Sequence, residues 1–182
     1  MYSAVLDACV LIPYPLFDVL LRCADKSMYR PLWSNDILEE TERNLIKHLN
    51  LDSERAAKRV KTMRQAFPDA TVTGYEGLIP AMTNDPKDRH VLAAAVRANT
   101  GLIVTANIKD FAPEHLEPYG VKAIHPDEFL LDLLDLSQIA VAQTLHEMLA
   151  QNAGPPTNAL ELVTTLDETV PKFAAELTAL LR

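Results

Sequence analysis

Short apolar runs alternate with helical segments along residues 1–125, and this alternation most constrains the fold. The runs with strand character are YSAVL, YRPLW, ATVTG, LIVT and VKAIH. Helical segments lie between them, the first through FDVLLRCA. Strands that alternate with helices in this way predict a parallel sheet whose two faces are covered.

Several helix starts have side-chain signals. Ser34 precedes an acidic first turn, which predicts a helix from Ser34 to roughly His48. A further helix is predicted over about 52–66. Asp85 followed by Pro86 predicts a third start, for the helix that runs through VLAAAVRAN.

The rest of the chain is wholly helical in character. Residues 154–156, Gly-Pro-Pro, end one predicted helix, and the spacing of Asn158 and Glu161 is that of a capping box at the start of the next. We therefore expect a main domain over 1–125 and a small helical extension over 126–182. The predicted helices of the extension are PDEFLLDLLDL, SQIAVAQTLHEMLAQN, NALELVTTL and PKFAAELTALL.

Negative charge is concentrated in the extension. The chain has a net charge of −8, of which −7 lies in residues 126–182 and −1 in residues 1–125. Acids of the extension such as Asp127, Asp132 and Glu161 are expected to be exposed, to repel RNA and to attract a basic segment of a partner.

The main domain has one basic, acid-free window within the helix predicted at 52–66. Such a window is typical of a solvated helix face, and it is also compatible with contact to an RNA backbone. The solvated helix face is the simpler interpretation. The basic residues of the window are Arg55, Lys58, Arg59, Lys61 and Arg64.

Composition excludes several classes of protein. With 48% hydrophobic and 23% charged residues and no stretch near 18 apolar residues, the chain is expected to be soluble, without a membrane span, and cytoplasmic. Cys9 and Cys23 lack CxxC or Cys/His spacing, which favours reduced core thiols over a zinc site. The five glycines never form GxxxxGK, so a P-loop NTPase is excluded.

Two aspartates follow predicted strands. Asp7 ends the first strand and Asp110 follows LIVT. Ligand sites of open α/β sheets lie outside the carboxyl ends of the strands, near the point where the strand order reverses. Either residue could instead cap a turn, but both would converge if their strands were neighbours.

Asp88 is predicted to face the sheet. At 100° per residue it projects near the middle of the apolar stripe of its helix, one turn nearer the N-terminus. Alternatively, it completes a capping arrangement with Asp85. A carboxylate that points inward needs a partner or a cation, because an unpaired buried charge is prohibitive. The stripe consists of Val91, Leu92, Ala95 and Val96.

Helical spacing does not select an acid in the segment WSNDILEETERNL. Glu39 and Glu40 both lie to the side of the apolar face, and Glu42 lies nearer to it. On spacing alone, a solvated acidic helix start is the simpler interpretation.

Four segments in order resemble the motifs of PIN-domain ribonucleases, in particular the VapC-type toxins of bacterial toxin–antitoxin modules. They are LDACVLIP, WSNDILEETERNL, DPKDRHVLAAAV and IVTANIKDF. The resemblance covers about residues 3–125 and assigns Asp7, Glu40, Asp88 and Asp110. Glu40 is selected by the serine six residues before it. The segment from Pro126 resembles the helical extension of a subgroup of these toxins, which the smaller toxins of the family lack.

The resemblance implies a three-layer α/β/α fold with a five-stranded parallel sheet and an acidic pocket that binds Mg²⁺ or Mn²⁺ for cleavage of RNA. Four carboxylates in one pocket repel one another, and a hard divalent cation with oxygen ligands compensates for this. Asp7 and Asp88 are the expected direct ligands, and Asp110 and Glu40 ligate directly or through water. Ser34, Thr105 and Asn107 would order waters or the carboxylates. No covalent nucleophile is expected; a bound metal would activate water and stabilise charge on the phosphate.

The resemblance also implies partners: an RNA substrate, a second copy of the chain in a homodimer, and a small antitoxin that inserts a segment near the acidic pocket. Three alternatives come from other classes. A haloacid-dehalogenase-type phosphotransferase needs a second Asp where this chain has Cys9, and a receiver domain needs an N-terminal acid pair and a late lysine that Lys109 fits poorly. A non-catalytic PIN-like RNA- or protein-binding module would normally have lost one or more of the four acids.

Overall fold

The computed structural model describes residues 2–151 and 154–180, without the side chain of Leu180, and divides into two compact units. The first unit comprises Met1–Ile12 and Tyr29–Ile124. The second comprises Pro13–Met28 and His125–Arg182. A segment near the N-terminus therefore groups with the C-terminal helices.

The first unit contains a sheet of five parallel strands in the order β3-β2-β1-β4-β5. In the register of the central strands, Val5 lies opposite Leu32 on one side and Ile103 on the other. The chain adds strands on one side of β1 and then on the other, so the strand order reverses between β1 and β4. The strands are β1 (Ser3–Leu6), β2 (Arg30–Ser34), β3 (Thr71–Val72), β4 (Leu102–Val104) and β5 (Lys122–Ile124).

The predicted α/β fold with a five-stranded parallel sheet and C-terminal helices is confirmed. The structure adds a one-turn helix directly after β1. In chain order the α-helices of the described residues are α1 (Ala8–Leu11), α2 (Leu16–Asp25), α3 (Asn35–Leu49), α4 (Ser53–Ala66), α5 (Arg89–Arg97), α6 (Pro113–Leu116), α7 (Pro126–Leu136), α8 (Gln138–Gln151), α9 (Ala159–Asp167) and α10 (Pro171–Leu180).

The start of α3 is the one that the sequence predicts. Ser34 is its N-cap, and the Oγ atom of Ser34 accepts a hydrogen bond of 3.1 Å from the backbone N–H of Ile37. This bond satisfies one of the N–H groups that have no partner within the helix. Asn50 ends α3 in a left-handed conformation. The cap fixes the position of the side chains in the second turn of α3, including Glu40.

The predicted start of α5 at Asp85 is wrong. The helix begins at Arg89, and Asp88 is its N-cap. The carboxylate of Asp85 instead accepts a 3.0 Å hydrogen bond from the backbone N–H of Lys87 and closes a turn. Asp88 therefore lies at the N-terminus of α5, directly before its first helical residue, and not within the helix. The helix contacts β1, β2 and β4, and its residues Val91, Leu92, Ala93, Ala94 and Ala95 are fully buried.

In the second unit, α2 packs against α8, α7 contacts α8 and α10, and α9 contacts α10. Polar contacts reinforce the first of these pairs: Lys26 lies 2.7 Å from Glu147, and Arg22 donates a 2.9 Å hydrogen bond to Gln151. The predicted ends of two helices, at Asn152 and Leu181, lie outside the described residues.

The start of α9 agrees with the predicted capping residue. Asn158 Oδ1 accepts a 3.0 Å hydrogen bond from the backbone N–H of Glu161. The carboxylate of Glu161 accepts from the backbone N–H of Thr157, at 2.7 Å, and this replaces the reciprocal bond to Asn158 that a capping box would have.

Asp127 is buried, contrary to the expectation that it is an exposed acid. Its carboxylate accepts hydrogen bonds from the backbone N–H groups of Lys172 (3.1 Å) and Phe173 (2.8 Å). These groups lie in the first turn of α10, directly after Pro171, and have no partner within the helix. The negative charge of Asp127 thus stabilises the N-terminus of α10.

The predicted free thiols are confirmed. Cys9 and Cys23 form no disulfide; Cys23 is buried and Cys9 is half-buried. Across residues 2–151 and 154–180, no helix is both long enough and apolar enough to cross a lipid bilayer.

Candidate active site

Asp7 lies where the strand order reverses. It follows β1 directly, and its backbone N–H donates a 3.1 Å hydrogen bond to the carbonyl of Val104, the last residue of β4. Its side chain is only 2% exposed. The strands that precede Asp7 and Asp110 are therefore neighbours, which is the condition under which the two acids were expected to converge.

Thr105 holds the carboxylate of Asp7. Its Oγ1 donates a 2.7 Å hydrogen bond to Oδ2 of Asp7 and accepts a 3.0 Å hydrogen bond from the backbone N–H of Asn107. Asn107 thus contacts Thr105 through its backbone, while its own side chain is exposed. In the same loop the backbone N–H of Asp110 bonds to the carbonyl of Asn107, at 2.9 Å, and the side chain of Asp110 is half-buried.

Cys9 is a member of this group that the sequence analysis missed. Its Sγ donates a 3.2 Å hydrogen bond to Oδ2 of Asp7 and accepts one of 3.3 Å from the backbone N–H of Ala106. Burial, followed by the negative charge of Asp7, raises the pKa of the Cys9 thiol to about 12. The thiol therefore remains protonated at neutral pH and acts as a hydrogen-bond donor.

The pKa of Asp88 shows that the other acids lie near it. Its pKa is raised to about 7, first by burial and then by the negative charges of Asp7, Asp110 and Glu40. Three of the carboxylates assigned by the motif resemblance are therefore close enough to the fourth, Asp88, to repel it. Asp7 follows β1, Glu40 lies on α3, Asp88 lies at the start of α5, and Asp110 ends the short 3-10 helix Ile108–Asp110 after β4.

The pKa of Asp7 is also raised. Burial is the main cause, and the negative charge of Glu40 acts in the same direction. The hydrogen bonds from Thr105 and Cys9 oppose this, because they stabilise the ionised carboxylate. Hydrogen bonds therefore stabilise the ionised form of Asp7, while burial and the negative charge of Glu40 destabilise it.

Glu40 is paired with His90, which the sequence analysis also missed. Oε2 of Glu40 lies 3.5 Å from Nε2 of His90, in the first turn of α5. Burial alone would lower the pKa of His90, but the hydrogen bond and charge of Glu40, with the charges of Asp36 and Asp7, outweigh it, and the pKa is raised. The pairing joins two helices that are distant in sequence, so no local pattern could predict it. Glu39 is exposed.

Ser34 contributes to the site through the helix that it caps. It is fully buried, its Oγ accepts from Ile37, and it shares a hydrogen bond with the hydroxyl of Tyr75. These contacts hold the start of α3. The role of Ser34 in ordering waters or carboxylates stays a prediction.

A family model described as PIN domain matches residues 3–109, which is more than half of the chain. The chain belongs to the PIN-domain family. The family assignment made from the four motifs is thereby confirmed, and the four acids lie in, or directly after, the matched part of this PIN domain.

The C-terminal extension and a comparison with one relative both show similarity to VapC50. A second family model, described as VapC50 C-terminal domain, matches residues 126–179. A protein of Mycobacterium tuberculosis (strain ATCC 25618 / H37Rv) named "Putative ribonuclease VapC50" is 50% identical over 103 residues. This alignment covers 57% of the chain and 61% of the relative, which is less than two thirds of either protein. No solved structure was found to match the chain.

The donor atoms of this PIN domain suit a hard cation. All four acids offer carboxylate oxygens, the ligands that Mg²⁺ and Mn²⁺ prefer. Within the described parts of the chain, no group of three or more His, Cys, Asp or Glu side chains is arranged closely enough to hold a metal ion. The carboxylates thus interact through their charges at distances longer than those of metal coordination.

A cavity of about 390 Å³ lies beside Glu40 and His90 in the PIN domain. Acidic and basic side chains line this cavity. They belong to α3, to the turn before α5 and to the first turn of α5. The remaining lining residues are Asp36, Glu39, Arg43 and Lys87.

Proposed function

We propose that this protein is a divalent-metal-dependent endoribonuclease that hydrolyses RNA phosphodiester bonds. The observation that carries the proposal is the convergence of Asp7, Glu40, Asp88 and Asp110, which is expressed in the raised pKa of Asp88. Acids with strongly raised pKa values, brought together at the switch point of a parallel sheet, are typical of a functional site. The name of the relative from Mycobacterium tuberculosis supports the same activity.

Asp7 and Asp88 are the proposed direct ligands of Mg²⁺ or Mn²⁺, and Asp110 and Glu40 would ligate directly or through water. A divalent cation, when bound, would supply activation of water and stabilisation of negative charge on the phosphate. Burial, followed by repulsion from the other acids, raises the pKa of Asp88, so cation affinity is expected to increase as Asp88 ionises.

The other residues of the site hold these acids in place. Thr105 and Cys9 both donate hydrogen bonds to Oδ2 of Asp7 and so fix the orientation of this carboxylate. His90 orients Glu40 in the same way. Cys9 is not the nucleophile, because a thiol with a pKa of about 12 is protonated at neutral pH. Water is therefore the proposed nucleophile.

We further propose that the protein is the toxin of a type II toxin–antitoxin module, acts in the cytoplasm and forms a homodimer. The match of residues 126–179 to the C-terminal domain of VapC50 supports the first of these assignments. The proposed inhibitor is a small antitoxin. The homodimer rests on the family resemblance, and light scattering on the purified protein would test it.

The second unit offers a surface that suits such an antitoxin. A cavity of about 470 Å³ is lined mainly by apolar residues of α8, α9 and α10. The extension around it is strongly acidic, with a net charge of −7 over residues 126–182. An amphipathic, basic segment of the antitoxin would match both properties. The apolar lining includes Leu145, Leu149, Leu162, Val163 and Leu177.

The decisive experiment is incubation of the purified, antitoxin-free protein with total RNA, with and without Mg²⁺ or Mn²⁺. We expect cleavage that needs the cation and that disappears in Asp88→Asn. A wild-type protein that binds RNA but leaves it intact under all metal conditions would instead support the alternative, a non-catalytic PIN-like binding module. Identical cleavage by wild type and Asp88→Asn would indicate a contaminating nuclease and would contradict the assignment.

A further inference from the structure

The cavity beside Glu40 brings together two cationic side chains. Arg43 lies on α3, one turn after Glu39 and Glu40. Lys87 lies in the turn directly before Asp88, and its backbone N–H is held by Asp85. Each cation is therefore carried by the same chain segment as one of the proposed catalytic acids.

Both cations lack an ionic partner among the described residues. Across the described parts of the chain, neither Arg43 nor Lys87 forms an ion pair, although Arg43 is one helical turn from two glutamates. Both side chains are exposed at the cavity. They are available to an external anion.

The basic window on α4 is a weaker candidate for the same task. Arg55 pairs with Asp52 at 3.3 Å, Arg59 donates to the carbonyl of Ile12 at 3.1 Å, and Arg64 donates to Asn35 at 2.9 Å. The other two bases of the window, Lys58 and Lys61, are exposed. They line none of the cavities described above.

We propose that Arg43 and Lys87 bind backbone phosphates of the RNA strand, next to the phosphate that is cleaved. The inference rests on the proposed function and adds the site that positions the strand. An RNA strand that approaches four carboxylates meets repulsion, and cations beside those carboxylates offset it. The guanidinium of Arg43 can contact two phosphate oxygens at once, while Lys87 contributes a point charge. The cavity volume of about 390 Å³ can accommodate such a group.

The test is binding of a labelled single-stranded RNA oligonucleotide, followed by fluorescence anisotropy at several salt concentrations. All variants are placed in an Asp7→Asn background so that the RNA is not cut. Phosphate binding is independent of base sequence, so the RNA cleaved in the cell need not be known. For Arg43→Gln with Lys87→Gln we expect roughly fivefold to tenfold weaker binding. The slope of log K against log salt should fall by about 1.4, because each phosphate of a single strand that is no longer neutralised reduces it by about 0.7.

The matched control is Lys58→Gln with Lys61→Gln, which removes the same charge from an exposed face of the same unit. We expect less than a twofold change in affinity for this pair. An equal loss of affinity in both double variants would mean that the attraction is diffuse, and it would overturn the site. Unchanged affinity and salt slope in the Arg43/Lys87 variant would also overturn it.

Cleavage kinetics in the otherwise wild-type protein separate this inference from the proposed function. The Arg43→Gln/Lys87→Gln variant should show a raised KM with kcat and the Mg²⁺ dependence largely unchanged. If the wild type cleaves RNA and this variant has a normal KM, the phosphate site is wrong while the nuclease stands. If no metal-dependent cleavage occurs but the salt-dependent weakening of binding is seen, the nuclease is wrong while the phosphate site stands.

Discussion

The hydroxyl of Thr105 donates a 2.7 Å hydrogen bond to Oδ2 of Asp7 and joins the two strands between which the strand order reverses. Because the backbone N–H of Asn107 donates to the same hydroxyl, the proton of Thr105 is left to point at Asp7. A buried carboxylate is thereby kept in one orientation at the point where parallel strands open a crevice. This hydrogen bond therefore links the strand order of the sheet to the orientation of a carboxylate in the candidate active site.

Replacement of Thr105 tests that hydrogen bond. Thr105→Val keeps the shape of the side chain but removes the hydroxyl, so Oδ2 of Asp7 loses its shortest hydrogen bond. We expect a loss of roughly tenfold to 100-fold in Mg²⁺ affinity or in cleavage, the range for partners that orient metal ligands. Thr105→Ser keeps the hydroxyl and should remain within a few-fold of wild type. Equal loss in both variants would point to packing of the methyl group instead.

Neutralising a proposed ligand should separate stability from activity. Asp7→Asn and Asp88→Asn each remove a charge from a group of mutually repelling carboxylates. We expect metal-dependent cleavage to be abolished while the circular dichroism spectrum is unchanged. The melting temperature of the metal-free protein should stay equal or rise, because repulsion and the cost of burying a charge are relieved. Normal cleavage by a folded Asp88→Asn protein would refute the assignment.

The raised pKa of Asp88 predicts how stability depends on pH. The folded protein holds this proton up to a pH of about 7, whereas the carboxyl has a pKa of 3.8 when unperturbed. The contribution of Asp88 to the stability of the metal-free protein should therefore be most favourable below that lower value, fall as the pH rises between the two values, and level off above the upper one. Thermal melting between about pH 4 and about pH 8 measures this, with Asp88→Asn as the control that should show a smaller decline.

Addition of Mg²⁺ should oppose that decline, because the cation binds ionised carboxylates. The rise in melting temperature on adding Mg²⁺ should be larger at about pH 8 than at about pH 5. A rise that is equal at both pH values would show that Asp88 does not take part in cation binding.

Glu40 and its neighbour provide a matched pair. Glu40 is half-buried, contacts His90 and raises the pKa of both Asp7 and Asp88, while Glu39 is exposed. Glu40→Gln should strongly impair cleavage, and Glu39→Gln should be nearly normal in kcat. Both changes remove one negative charge from adjacent positions, so a general electrostatic effect would affect them alike. If Glu39→Gln were impaired and Glu40→Gln nearly normal, the motif would have been aligned with an error of one residue.

The acidic extension can be tested without disturbing its fold. Asp127 is unsuitable for this purpose because it holds the N-terminus of α10. Asp132, Asp167 and Glu168 are exposed, and their neutralisation should weaken binding of the proposed antitoxin, most strongly at low salt. Unchanged antitoxin affinity and RNA cleavage at low ionic strength would show that the charge is incidental.

A second pair of variants addresses the apolar cavity of the extension. Val163→Asp places a charge in its lining, and Leu160→Asp places the same charge at an exposed position of the same helix. We expect antitoxin affinity to fall by at least roughly tenfold in the first variant and to change little in the second. Comparable affinities would exclude this cavity as the docking site. Circular dichroism is needed for both variants to exclude unfolding.

The sequence predicts the parts of this structure that depend on local pattern. The strands after which Asp7 and Asp110 lie are short apolar runs, and the cap at Ser34 follows from the hydrogen-bonding capacity of its hydroxyl. The predicted start of α5 is too early, because Asp85 and Pro86 favour a turn as readily as a first helical turn. The residues Asp85 and Pro86 therefore indicate a turn and a helix start about equally well.

Contacts between distant segments could not be predicted in this way. His90 and Glu40 lie on helices whose packing depends on the whole sheet, and no spacing within either helix indicates the pair. Asp127 is one acid among many in an acidic segment, yet it is buried because the N–H groups of another helix need an acceptor. In each case the determining partner is more than forty residues away in sequence.

The grouping of Pro13–Met28 with the C-terminal helices has a consequence for how the protein is made. The partners of α2 lie on α8, where Glu147 and Gln151 receive Lys26 and Arg22. During synthesis α2 leaves the ribosome long before those partners exist. The second unit can close only after α8 has emerged, so the apolar face of α2 stays without its cover through most of translation.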